Sequence, residues 1–405
     1  MTLLGRLTEE ASWREFLDEM NMRHRLTKAE SAALGYFVDE KRYPSAVSDL
    51  VFSYPEKKTL SKMGSGKKRV VYSFAPDETW ILKHLARLLY KYDDRMPDSC
   101  YSFRRSRTVK TAVDRILRIP GLDGKYVIKA DIHDYFNSID VPTLLEELGN
   151  VVDDDPELLG LMRDILTRDR CVSNGEVIEE KRGAMAGMPL SSFFANVYLM
   201  DMDLAFEERG VPYFRYSDDI LIFADSGEEA CAFLDELKDR LAEKKLTMNP
   251  DKVSVSGPGE PWEFLGFRYE DGGIDLAHAT VEKMKGKIRR KARKLYRKRK
   301  KKGLPFEKAA LSMIRGFDSK FYDLTGNRDY TWTGFYFPVI TGTEGLKEID
   351  DYMIKYLRYL ATGRHYKGNY RVPYDKLRKL GFTPLVAEYY NWKAESAKLE
   401  RINRG

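Results

Sequence analysis

Hydrophobic and polar positions change their period several times along this chain. Residues 1–60 read as helical, as in "SWREFLDEMNM". From Gly64 to Phe74, "GSGKKRVVYSF" predicts a Gly/Ser turn, a basic cluster and an apolar strand, and 79–96 predict a helix. "GKYVIKADI" is a short buried strand ending at Asp131, with a helix expected over 141–149. Pro189 precedes a helix at about 191–208, which Gly210 closes. The runs 213–216 and 220–224 predict a hairpin, followed by a helix over 228–245. "WEFLGFRYEDGGIDL" is a second hairpin, turning at Asp271-Gly272-Gly273, and 304–405 are mostly helical. Strand, helix, helix, two antiparallel strands, helix is the order of an α+β domain, with helices on one face of a small antiparallel sheet.

The first hairpin carries two adjacent acids at its bend, in "FRYSDDILIF". Other acidic runs exist at Asp93-Asp94, Asp153-Asp154-Asp155 and Asp350-Asp351, but only Asp218-Asp219 has a strand-like run on each side. Adjacent carboxylates repel each other unless a cation sits between them. Asp131, at the end of a neighbouring strand, is expected at the same sheet edge. Three aspartates on strand ends suit phosphoryl transfer assisted by two hard cations, for which Mg²⁺ is the natural choice and Mn²⁺ a substitute.

Charge adds a second feature. Residues 283–302, "KMKGKIRRKARKLYRKRKKK", hold fourteen Lys or Arg and no acid; removing them from the net +6 leaves −8 elsewhere. Met284, Ile288, Ala292 and Leu295 give that run one apolar stripe at helical spacing. So dense a single-sign helix calls for a polyanion, and Arg289, Arg290, Arg293 and Lys294 are its expected nucleic-acid contacts. A membrane surface is the remaining reading, weakened by the lack of Phe or Trp on the stripe. No apolar run reaches the ~18 residues of a membrane span, and charges arrive too early for a signal peptide. Three separated cysteines without a CxxC pair predict reduced thiols and a cytoplasmic location. Five histidines without ligand spacing predict no zinc site.

These segments together resemble the reverse transcriptases of the bacterial group II intron, retron and defence-associated kind. "KADIHDYFNSID" resembles the first palm motif, with Asp131 as metal ligand, and "RYSDDILIF" the second aspartate motif. "AGMPLSSFFANVYL" is similar to the glycine-proline motif between them. "LTMNPDKVSV" and "FLGFRY" resemble the following lysine motif and the primer-grip hairpin, while "GKKRVV" and "CYSFRRSR" resemble fingers motifs. Each alone is weak; five in the correct order are specific. The resemblance covers about 60–280, with a weaker thumb-like match beyond.

It implies a right-hand polymerase: N-terminal helices and fingers over 1–124, a palm over 125–277 with a fingers-like segment at about 150–182, and a helical thumb region over 278–405. It implies RNA-directed DNA synthesis from dNTPs at two Mg²⁺ ions held by Asp131, Asp218 and Asp219. The partners implied are an RNA template, in the form of a dedicated non-coding RNA for some members, and a DNA product, with no membrane. Lys67, Lys68 and Arg69 would hold the triphosphate, and Lys252 would protonate the leaving pyrophosphate. Phe136 would exclude a 2′-hydroxyl, and Gly187 would let backbone approach the template base pair. Arg104, Arg105 and Arg107 would touch the template. Plain readings stand beside these: a solvated turn for the 67–69 cluster, a surface lysine for Lys252 and a core aromatic for Phe136. Asp134 and Asp140 read as helix-terminal.

Two positions depart from the family pattern: Ala186 replaces the usual glutamine and Ser192 the usual proline. The first puts template handling in doubt, so untemplated nucleotide addition on the same palm is one rival. An inert nucleic-acid-binding scaffold is the other, and the complete aspartate set argues against it. With no endonuclease-like segment visible after the thumb, a standalone defence-associated or retron-like member is expected.

Overall fold

The computed structural model describes residues 2–23, 26–61, 68–322 and 331–404. The chain forms two compact units, 1–258 and 259–405.

In the first unit, residues 10–22 form the amphipathic helix α1 (Glu10–Met22), which buries Trp13 and Phe16. The region read as helical to residue 60 ends in a strand, β1 (Glu56–Ser61), which pairs antiparallel with β2 (Lys68–Ser73). Two strands from far along the chain, β4 (Arg170–Ser173) and β5 (Glu176–Glu179), complete this sheet in the order β2-β1-β4-β5. The link is a short parallel pairing of Val172 with Glu56. Helix α2 (Pro76–Leu88) follows β2, with proline in its first turn, where its missing N–H costs nothing.

The second sheet is antiparallel, in the order β6-β7-β3-β8. It contains β3 (Tyr126–Asp131), β6 (Tyr213–Tyr216), β7 (Asp219–Ala224) and β8 (Ser254–Ser256). Side chains alternate between its faces. Ile128, Ala130, Tyr213, Ile220, Ile222 and Ala224 join the main hydrophobic core, together with Leu144 of α3 (Val141–Val151) and Phe194 of α4 (Ser191–Tyr198). Ala230, Leu237 and Leu241 of α6 (Gly227–Glu243) belong to the same core, leaving one face of the sheet covered by helices. The other face carries Asp131, Lys129, Leu221, Phe223 and Asp219.

The single helix expected at 191–208 is two, α4 and α5 (Met200–Glu208), broken at Leu199 (φ −111°, ψ 14°). There is no proline or glycine at the break. Two carbonyls of the last α4 turn are instead taken by side chains: Ala195 O by the Tyr135 hydroxyl and Asn196 O by the Arg215 guanidinium (3.3 Å). Side chains inserted into the i→i−4 ladder are a known cause of such breaks.

The second unit begins with a three-stranded antiparallel sheet, β9 (Trp262–Phe264), β10 (Phe267–Glu270) and β11 (Gly273–Leu276), turning at Asp271-Gly272 with φ of 50° and 74°. The cationic run lies in α7 (His278–Lys302), which buries Met284, Ile288 and Ala292 and ends on Gly303 at φ 61°. Helix α8 (Glu344–Thr362) packs along it. No described helix is long and apolar enough to cross a membrane.

Candidate active site

The site is built from the register of the second sheet. Asp131, the last residue of β3, sits directly opposite Asp219, the first residue of β7. Asp218 lies between β6 and β7 in a two-residue turn whose first member, Ser217, takes φ 62°. Short hairpin loops need such a left-handed residue. The Ile132 N–H donates to Asp218 O (3.0 Å), which fixes the turn to the strand bearing Asp131.

These carboxyls sit in a poor solvent for charge. Asp131 is buried; Asp218 and Asp219 are half-buried. Burial, then the Asp218 charge, push the Asp219 carboxyl up to about 6, with Lys129 pulling the other way. Burial and the Asp131 charge raise Asp218, while Lys252 and Arg69 oppose them. Lys252 forms an ion pair with Asp131 Oδ2; the Asn249 N–H donates to the Asp131 backbone carbonyl (2.7 Å) and its side-chain amide to Asp131 Oδ1 (3.4 Å). Lys252 is exposed, yet its ammonium reaches the acidic edge.

The donor set consists of carboxylate oxygens, which suits a hard cation. Among the described residues no three His, Cys, Asp or Glu side chains stand together as a metal site, and Asp131 is paired with Lys252. An open set is what Mg²⁺ uses when one or two carboxylates hold it and water and substrate phosphate complete its shell. By this test the residues fit.

Around the acids, the other expected residues fall into three groups. Arg69 and Phe136 come together, the guanidinium 6.0 Å from the ring centroid, with the ring only partly buried. Lys67 lies outside the described residues. Gly187 (φ 100°) is a tight approach, but what approaches it is β2: an added Cβ would stand 3.0 Å from Tyr72 O and 3.3 Å from Val71 Cβ. The glycine is therefore required by packing against β2, apart from the expected approach of a template base. The neighbouring Ala186 uses its backbone on both sides, accepting from Tyr72 N–H (2.8 Å) and donating to Asn137 Oδ1 (3.1 Å).

Arg104 also corrects an expectation. It is buried, and its guanidinium donates to the carbonyls of Pro97, Cys100 (3.1 Å) and Asp93, so it braces its own loop instead of reaching a phosphate. Arg105 is exposed over the Tyr90 ring (5.0 Å), and Arg107 pairs with Asp98. Asp140 caps α3 through Thr143 N–H, and Asp134 precedes the short helix at Tyr135. In the second unit Arg289, Arg290, Arg293 and Lys294 are all exposed.

One component was missed in the sequence. Arg215, on the helix-covered face of β6, is fully buried and forms a bidentate pair with Asp203 of α5. Burial works against its charge, and Asp203 more than offsets that, so the guanidinium stays protonated well above its ordinary range. Tyr213 OH donates to the same carboxylate (2.8 Å). Arg215 Nη1 also donates to Ser217 O (3.3 Å), the carbonyl just before Asp218. A buried ion pair thus lies directly beneath the acidic turn. The available signal was a charged residue at a core-facing position of an otherwise apolar strand.

The reverse transcriptase (RNA-dependent DNA polymerase) family model matches residues 56–269. The retron Ec86 reverse transcriptase of Escherichia coli is 22% identical over 244 residues, which is 57% of this chain and 68% of that protein. Among solved structures, apo telomerase from Candida tropicalis is similar at a TM-score of 0.50 and 12% identity, over 82% of this chain and 60% of that one. That likeness speaks for the fold alone, an α+β right-hand polymerase. The family match spans more than half of the sequence and contains all three aspartates, and the chain belongs to the reverse transcriptases, the RNA-dependent DNA polymerases.

Proposed function

We propose that this protein extends a DNA 3′-hydroxyl with dNTPs along an RNA template, at the sheet edge formed by Asp131, Asp218 and Asp219. The observation that carries the reading is the register that sets Asp131 opposite Asp219 with Asp218 in the adjoining turn. Those three carboxylates would hold two Mg²⁺ ions, with Mn²⁺ able to substitute. When bound, such ions favour the attacking alkoxide and neutralise charge on the triphosphate. Arg69 lies close enough to Asp218 to oppose the rise in its pKa, so it can bind triphosphate oxygens beside the acids. Lys252 keeps its ammonium at the same edge, where it can supply a proton to pyrophosphate. In this reading the sheet from 56–73 and 170–179 is the fingers, the Asp-bearing sheet the palm and the helices after 278 the thumb. The reading also places the enzyme in the cytoplasm, with a dedicated non-coding RNA as partner and a role in anti-phage defence. Plaque counts on cells with and without the intact gene test that role; equal counts reject it.

The direct test is extension of a DNA primer on an RNA template, with and without Mg²⁺. No dNTP incorporation by folded protein would reject the assignment, and a homopolymer made without added RNA would favour untemplated addition instead.

Sugar choice is the first dependent prediction. A ring at position 136 leaves room for a deoxyribose but clashes with a 2′-hydroxyl. Phe136→Ala should raise ribonucleotide over deoxyribonucleotide incorporation by about tenfold or more, and Phe136→Tyr should change it far less. Competing single-nucleotide extension on one primed RNA template measures this. Unchanged selectivity in the alanine variant would make the ring core packing only.

The cationic helix gives the second. Replacing Arg289, Arg290, Arg293 and Lys294 with Gln should weaken binding to structured RNA. It should also reduce the slope of log K against log salt by about 3 to 3.6, at ~0.7–0.9 for each of the four phosphates no longer neutralised. An unchanged affinity and slope would leave α7 a solvated face.

A further inference from the structure

A different face of the second unit has its own composition. Between Asp351 and Asp375 the chain has no acid, five Lys or Arg and six tyrosines. Helix α8 buries Met353, Leu357 and Leu360 and ends at Gly363 (φ 75°), whose N–H donates to Tyr359 O (2.7 Å). The loop that follows is firmly built. Buried Asn369 donates from Nδ2 to Arg364 O (2.6 Å) and accepts from Thr362 Oγ1 (2.7 Å). Arg371 donates to Gly368 O (3.2 Å) and to the Tyr366 hydroxyl (3.2 Å), and Arg358 Nε donates to Val372 O (3.1 Å).

This ordered loop displays aromatic surface to solvent. Tyr370 is 69% exposed and Tyr366 47%. The Arg358 guanidinium lies 4.8 Å from the Tyr370 ring centroid. The Tyr366 ring lies so close over Gly368 that a side chain there would have to push the ring aside. Lys355, Arg358, His365, Tyr366, Lys367 and Tyr370 line a cavity of about 540 Å³, with Asp351 its only acid. His365 packs against Tyr356 (4.8 Å) and Tyr359 (5.0 Å); burial, Lys355 and Arg293 push its pKa down, so it presents a neutral ring near pH 7. The ion pairs of this unit among the described residues leave Lys355, Arg358 and Lys367 without a carboxylate partner.

Rigid exposed rings flanked by unpaired cations are how proteins hold single-stranded nucleic acid: bases stack on the rings and phosphates meet the cations. A duplex cannot use such a site, because its base faces are already stacked. We propose that the Tyr366–Tyr370 face is a stacking platform for unpaired nucleotides of an RNA strand. RNA is the assigned strand because an enzyme copying RNA meets its template unpaired, whereas its DNA product is formed already paired. The proposal rests on the RNA-copying reading for that choice alone.

The test uses the full chain and fluorescence anisotropy with a labelled twelve-nucleotide oligoadenylate. Tyr366→Ala with Tyr370→Ala should weaken binding by about tenfold to several hundredfold. The salt slope should not change, since no cation is removed. Binding to a twelve-base-pair RNA duplex should stay within about twofold of wild type, and Tyr366→Phe with Tyr370→Phe should bind the single strand like wild type. An alanine variant that binds the single strand normally, or loses duplex binding equally, overturns the platform. Oligodeoxyadenylate bound as tightly as the RNA overturns the choice of strand. Extension of a short primed template should be the same for wild type and variant, so a failure of the polymerase reading shows in wild-type protein while binding is still read.

Discussion

Asp218→Asn is expected to give a folded protein that no longer extends a primer, with turnover lower by about 10³-fold or more. The turn carrying this residue is held by backbone bonds, through Ile132 N–H and the Tyr216–Asp219 pairing, so an isosteric amide should not disturb it. Stability should hold or rise by about 1 kcal/mol, since each unit of raised carboxyl pKa is ~1.4 kcal/mol against the charged form. Asp219 shows the sign. Its folded pKa of about 6 lies above the ordinary 3.8, so without metal the native state binds this proton more tightly than the unfolded chain. Stability from this group falls as pH rises from about 4 to 6 and stays lower above that range. Removing the Asp218 charge should flatten this dependence, as melting in chelator from pH 4 to 8 would reveal. Substantial incorporation by the folded variant would sink the ligand assignment.

Arg215→Met should lower stability by about 3–5 kcal/mol, because it leaves the fully buried Asp203 carboxylate without its cation. Adding Asp203→Leu should recover most of that loss, since an apolar pair can replace a buried ion pair. Activity should not recover with it. The carbonyl of Ser217 would still lack the guanidinium that holds the turn beside Asp218. Chemical denaturation and primer extension of the single and double variants separate the two effects. Full activity in a restored double variant would make the pair a matter of stability only.

The acids themselves were legible because they obey local rules. Asp218-Asp219 falls at a hairpin bend flanked by apolar runs, and Asp131 ends a short, largely buried strand. The cationic helix was readable from a single-sign run with an apolar stripe. What could not be read depends on partners that no local sequence pattern announces. Arg104 stands in a basic loop and gives no sign that carbonyls of residues 93, 97 and 100 enclose it. The break at Leu199 needs Tyr135 and Arg215, neither of them in the helix it interrupts. The need for glycine at 187 comes from the chain's own β2, a packing that one sequence does not announce.

The strand order β6-β7-β3-β8 also constrains how the protein is made. Strand β3 is central and is translated first; its neighbours leave the ribosome only later, with Asp219 following Asp131 by 88 residues. Until then β3 has two open edges and its carboxylate has no companions. If the three carboxylates act as proposed, a nascent chain halted before residue 219 should be unable to copy the RNA around it, messenger included. The same exposed edges make that interval the one in which misfolding or a need for chaperones is greatest. Catalytic competence arrives late in synthesis and all at once.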